Sequence, residues 1–123
     1  MYKDWPKIAV DFTDLIQKVR AGAPDTTKAF SALARSALQA NALDTKTKEL
    51  IALAIAVAIR CETCIAFHAE SAVKQGATRE EVLETMGMAI YMGAGPSLMY
   101  AAEALEAYDQ FAAQKDRRMI ACK

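Results

Sequence analysis

The segment DTKTKELIALAIAVAIR, residues 44–60, decides the fold. Asp44 is a residue type suited to accept hydrogen bonds from the first free N–H groups of a helix. Leu50 to Ile59 then carries apolar residues at every position. A helix that is apolar on every side expects other apolar elements all round it. The run is too short to cross a bilayer, which takes about 20 residues, and Arg60 and Glu62 interrupt it. A buried central helix packed by other helices follows, and the chain as a whole reads as an all-α bundle of about six helices.

The flanking sequence supplies those helices. Ile8, Phe12, Leu15, Ile16 and Val19 recur at helical spacing, which predicts a helix over 5–20, with Pro6 in its first turn and Gly22 and Pro24 beyond its end. Phe30, Leu33, Ala37 and Leu38 predict a second over 26–40, and residues 41–44 read as a turn. After the central helix, residues 60–64 interrupt the pattern. Ile65 to Gln75 is helical again, with Gly76 suited to its C-terminal cap. Thr78 and Glu81 have capping-box spacing and open a helix to Met92. Gly93-Ala94-Gly95-Pro96 ends it, and Ser97 to Gln114 forms the last helix, with Leu98, Ala101, Leu105, Tyr108 and Ala112 on one face. Residues 115–123 read as a charged, flexible tail on a single domain spanning 1–123.

Composition narrows the function classes. With 54% hydrophobic and 24% charged residues, the chain is not a disordered one. Fifteen basic residues balance fifteen acidic ones, so the basic surplus that drives nucleic-acid binding is absent. The start, Met1 to Pro6, lacks a signal peptide's apolar stretch, and no membrane span is expected, so a soluble, cytoplasmic protein is expected. The apolar run together with Met86, Met88, Met92 and Met99 either fills the core of one chain or covers a contact between copies.

One segment carries chemistry: Cys61-Glu62-Thr63-Cys64-Ile65-Ala66-Phe67-His68, a C-x-x-C-x-x-x-H pattern holding the only histidine. At helical spacing the two thiols and the imidazole share one stripe. The imidazole can accept a thiol proton near neutral pH, and the thiolate is the nucleophile. A second thiol at three residues' distance can condense with an oxidised first one to a disulfide. The bland alternative is half of a zinc site. Cys61, Cys64 and His68 give three of the four ligands that zinc wants, and Cys122 lies in the tail, so a metal is not expected. Glu49 is either a carboxylate favoured by a helix dipole or a proton relay to the thiols. On one unbroken helix it would lie about 120° round from Cys61, at about 100° per residue, so the two converge only if the helix breaks near Arg60. Glu62 opposes thiolate formation and Arg60 favours it, and spacing leaves the net sign open.

The stretch Glu49 to Ala54, the C-x-x-C-x-x-x-H motif and the phrase Ala72-Val73-Lys74-Gln75-Gly76-Ala77-Thr78-Arg79-Glu80-Glu81-Val82 together resemble the carboxymuconolactone decarboxylase-like superfamily, and within it the AhpD-like alkylhydroperoxidase branch. The resemblance covers about residues 30–112. It implies an all-α fold assembled into homo-trimers or homo-hexamers. It also implies a thiol peroxidase that reduces hydroperoxides without metal, haem or flavin. Carried onto this sequence, Cys64 is the peroxidatic thiol, Cys61 the resolving one, His68 the base and relay, and Glu49 the end of the relay through a water. The disulfide would be recycled by an external dithiol, a lipoyl-bearing adaptor or a thioredoxin-like protein. Thr63 stands where some AhpD proteins carry a second histidine, which leaves the physiological reductant open. The true decarboxylases of the superfamily generally lack the cysteine pair, so its presence argues against lactone chemistry. Other readings are a redox-sensing or interaction module with little turnover, a metal-binding structural protein, and a decarboxylase on a small cyclic acid.

Overall fold

The computed structural model describes residues 1–121. Five helices follow one another: α1 (Trp5–Gly22), α2 (Pro24–Leu38), α3 (Thr45–Ala58), α4 (Glu62–Lys74) and α5 (Arg79–Ala121). No strand occurs among the described residues, and no helix is long and apolar enough to cross a membrane.

The helix starts are written locally. The Asp4 side chain accepts from Lys7 N–H at 3.2 Å, and Pro6 sits in the first turn of α1. Asp44 accepts from Thr47 N–H at 2.7 Å and opens α3. Thr78 and Glu81 form the reciprocal capping box of α5, with bonds of 2.8 and 3.1 Å.

α3, α4 and α5 form the centre, with α1 laid across α4 and α5. Leu53, Val57, Ile65 and Val82 are fully buried there, each stabilising the fold by about 1.5–3 kcal/mol. Alanines such as Ala66, Ala69, Ala104 and Ala107 fill the rest and let the helices approach closely. Trp5 is also fully buried. Its indole N–H donates to Glu106 at 2.9 Å, and Gln110 brackets the same segment by accepting from Trp5 N–H and donating to the Lys3 carbonyl. Glu106 also accepts from the N–H groups of Tyr2 and Lys3. The residues before α1 are therefore strapped along α5.

The structure corrects the sequence reading in three places. The four-residue loop expected at 93–96 shrinks to one non-helical residue, Ala94 (φ 57°, ψ −142°), so two expected helices run together as α5. Pro96 falls in the first turn after the break, where its missing N–H leaves no bond unmade. Ser97 is buried against Gly93, where any Cβ would lie 1.8 Å from its hydroxyl, so the break is closely packed. Second, α5 continues past Gln114 to Ala121, over residues read as a flexible tail. Cys122 lies outside the described residues. Third, α3 is not buried all round. Leu53, Ala56 and Val57 face the core, but Ile51, Ile55 and Ile59, one helical turn apart, are 44%, 52% and 65% exposed. α2 buries no residue, and Phe30, Leu33, Met88, Met92 and Met99 are exposed while Met86 is in the core. Five helices in so short a chain cannot cover every apolar face they carry.

Candidate active site

The site begins where α3 ends. Arg60 turns into the left-handed region at φ 61°. Its N–H bonds the Val57 carbonyl at 3.2 Å, and Cys61 N–H bonds the Ala56 carbonyl at 3.0 Å. This pair of reversed bonds is a Schellman cap, normally built on glycine. The turn reverses the chain so that α4 packs back along α3. This is the break that Glu49 needs.

Cys61 becomes the N-cap of α4, and its sulfur accepts from Cys64 N–H at 3.3 Å. It therefore stands just before the helix rather than within a helical stripe. The two sulfurs are joined as a disulfide, with Cα atoms 5.2 Å apart. His68 follows Cys64 by one turn. Glu49, in the first half of α3 and 5% exposed, meets it from the facing helix, its Oε1 2.7 Å from His68 Nδ1. That contact is direct. A carboxylate can only accept, so Nδ1 carries the proton and Nε2 is the nitrogen left to exchange one.

A second set of charges surrounds the motif, and the sequence pattern missed it. The Lys3 ammonium, brought by the strap along α5, pairs with Glu62. This hydrogen bond holds the Lys3 pKa above its ordinary value. Glu103 on α5 lies near the same carboxylate. Burial, and then the Glu62 charge, push its carboxyl up from the ordinary carboxylate range. One Glu103 oxygen is buried with no partner among the described residues. The signals for Lys3 and Glu103 were invisible locally, because both come from elements remote in sequence.

Geometry thus joins Glu49 to His68 and Cys61 to Cys64, with His68 one turn beyond Cys64 on α4. Residues 24–107, which contain all four, match the carboxymuconolactone decarboxylase family. The chain belongs to that family. A protein of Haemophilus influenzae is 43% identical over 108 residues, covering 88% of this chain and 96% of its own length. One from Cupriavidus necator is 41% identical over 86 residues, 70% of this chain and 76% of its own. Among solved structures, the apo form of a family member from Legionella pneumophila is 56% identical, covers 88% of this chain and 96% of its own, and superposes with a TM-score of 0.86. A family member from Thermotoga maritima, described with a conjectured part in an antioxidative response, is 28% identical over 90% of this chain and 94% of its own, with a TM-score of 0.79. The all-helical family fold is therefore this chain's fold, and the strap, the α3–α4 turn and the broken α5 are how this sequence builds it.

Proposed function

We propose that this family member is a thiol peroxidase and disulfide oxidoreductase that reduces hydroperoxides through Cys61 and Cys64. The observation that carries the proposal is the buried Glu49 carboxylate bonded at 2.7 Å to the histidine one turn from a paired cysteine. That arrangement supplies a nucleophile, a base and a partner for the base from side chains alone.

In the reduced protein His68 Nε2 takes the Cys64 proton, and Glu49 holds the resulting imidazolium. The Cys64 thiolate attacks one peroxide oxygen. The O–O bond breaks, the alkoxide leaves and takes the proton from His68, and Cys64 becomes a sulfenic acid. Cys61 as thiolate then attacks Cys64 Sγ. The S–O bond breaks, hydroxide leaves and is protonated to water, and the disulfide forms. An external dithiol, on a lipoyl-bearing adaptor or a thioredoxin-like protein, returns the two electrons. The cytoplasm is where such a pool of reduced thiol exists. The exposed Ile51–Ile55–Ile59 face and the uncovered apolar side chains of α2 support a homo-oligomer, a trimer or a hexamer.

The test is to mix the reduced protein with one equivalent of an organic hydroperoxide and follow it by stopped flow and intact mass. Rapid loss of about two mass units, mapped to Cys61–Cys64, supports the proposal, and Cys61→Ser should stop at the sulfenic acid. Oxidation no faster than a free thiol, or full turnover in Cys64→Ser, overturns it and leaves a redox-sensing module.

A further inference from the structure

The oxidised pair as it stands is asymmetric, and the asymmetry lies in what surrounds each sulfur. Cys61 caps α4. Its Sγ already accepts Cys64 N–H at 3.3 Å, and the partial positive charge of the helix start faces it. The charges near it can be assigned. Arg60 precedes it. Glu62, the carboxylate that would oppose a thiolate there, is held by Lys3. Glu103, a second carboxyl near Glu62, is drawn toward its neutral form by burial. Cys64 sits inside the first turn, one turn before His68, and is partly buried against the hydrophobic core.

We propose that the reductant's thiolate attacks Cys64 Sγ and that Cys61 leaves as the stabilised thiolate, with Lys3 as a positioning residue that neutralises Glu62. The inference rests on the redox reading only in requiring that the pair be reduced by thiols. A disulfide breaks faster when the sulfur that departs belongs to the more acidic thiol. The first step forms a bond between the reductant's sulfur and Cys64 and breaks Cys61–Cys64, leaving the electron pair on Cys61. In the second step the reductant's other thiolate attacks its own bonded sulfur. That sulfur's bond to Cys64 breaks, and Cys64 leaves as a thiolate, taking a proton from His68. The dithiol is oxidised to its own disulfide and the pair gains two electrons; of the two protons the dithiol releases, one reaches Cys64 through His68 and the other goes to solvent, Cys61 remaining a thiolate. The same stabilised thiolate is the one that closes the disulfide after peroxide attack, so one device serves both directions.

The experiment starts from the oxidised protein and uses no peroxide, so its failure is separable from failure of the peroxidase proposal. Glutathione, a monothiol that cannot complete the second step, is added and the reaction is quenched early with iodoacetamide. Fragmentation of the peptide 61–74 then reads which cysteine carries which group. Glutathione on Cys64 with the alkyl group on Cys61, in excess by about tenfold, is expected. An even split, or glutathione mainly on Cys61, overturns the assignment. The part given to Lys3 is read from the rate of reduction by dithiothreitol. Lys3→Met should slow it about threefold to tenfold, and Lys3→Arg should not. In the double variant Lys3→Met with Glu62→Gln the rate should recover, because there is no carboxylate left to neutralise. A loss in Lys3→Met that the second change fails to restore would assign Lys3 a merely structural role and overturn this part.

Discussion

α3 and α4 end in the same backbone pattern but spend different residues on it. At the end of α4, Gly76 N–H bonds the Val73 carbonyl at 3.0 Å, Ala77 N–H bonds the Ala72 carbonyl at 2.9 Å, and Gly76 has φ 81°. At the end of α3 the matching bonds are 3.2 and 3.0 Å, and the left-handed residue is Arg60 at φ 61°. Glycine takes that conformation freely, whereas a residue with a Cβ bears about 1–2 kcal/mol of strain. The Gly76 turn leads only to the start of α5. The Arg60 turn leads to Cys61. The strained version thus sits where the chain turns into Cys61, on a cationic residue that directly precedes that cysteine in the chain. The difference teaches that one cap is there for stability and the other for the site.

Variants can break that division. The largest effect is expected from Glu49→Gln, which keeps the shape of the α3–α4 contact but removes the charge that holds a protonated His68. Hydroperoxide turnover should fall on the order of 10²-fold while the urea midpoint moves little. Gly76→Ala is the converse. Apart from its chain neighbours, no atom of the described residues lies within 4 Å of the added Cβ, so its cost is conformational alone, about 1 kcal/mol in urea unfolding, with turnover unchanged. If Gly76→Ala slowed turnover as strongly as Glu49→Gln, the division would collapse. Arg60→Gly should raise stability by less than about 1 kcal/mol, since relief of strain is partly offset by the freer unfolded chain. It should lower turnover a few-fold, and Arg60→Asn, which tolerates the left-handed region without a charge, separates aim from electrostatics.

The smallest effect concerns Glu103. Its carboxyl is raised in the folded state, first by burial and then by Glu62. The folded chain therefore holds that proton more tightly than the unfolded one. The stability linked to it is present below the ordinary carboxylate pKa and is lost as pH rises through the raised value. Glu103→Gln should accordingly stabilise the protein at pH 7 and lose that advantage in acid, which a pair of thermal melts at the two pH values would detect.

Much of this was legible from local patterns. Asp44 as a cap, the Thr78–Glu81 capping box and the glycine at the end of α4 are interactions within a few residues, so the types of neighbouring side chains suffice to read them. The motif also named Cys61, Cys64 and His68, and the 3.6-residue turn made a break near Arg60 the condition for Glu49 to converge on Cys61. Other features were illegible. The sequence could not say that Ala94 alone would break α5, because Gly93, Gly95 and Pro96 each look a stronger breaker. Ser97 is buried against Gly93 beside that break, a contact between side chain and backbone that no residue type announces. Nor could it see the uncovered Ile51, Ile55 and Ile59, because an all-apolar run does not reveal which faces find neighbours.

What the sequence determined by itself is the helical class, the starts of α1, α3 and α5 and the chemical inventory of the site, since all three follow from periodicity, caps and residue types along one stretch of chain. What only the tertiary structure decided is who meets whom. The meeting of Glu49 with His68 depends on α4 folding back on α3. The Lys3–Glu62 pair, at a separation of 59 residues, depends on Trp5 and Gln110 strapping the N-terminus to α5. The sign of the charge balance at Cys61 was open for the same reason. Electrostatic interaction depends on distance through space, and neither Lys3 nor Glu103, the charges that gather at Glu62, is near Cys61 along the chain.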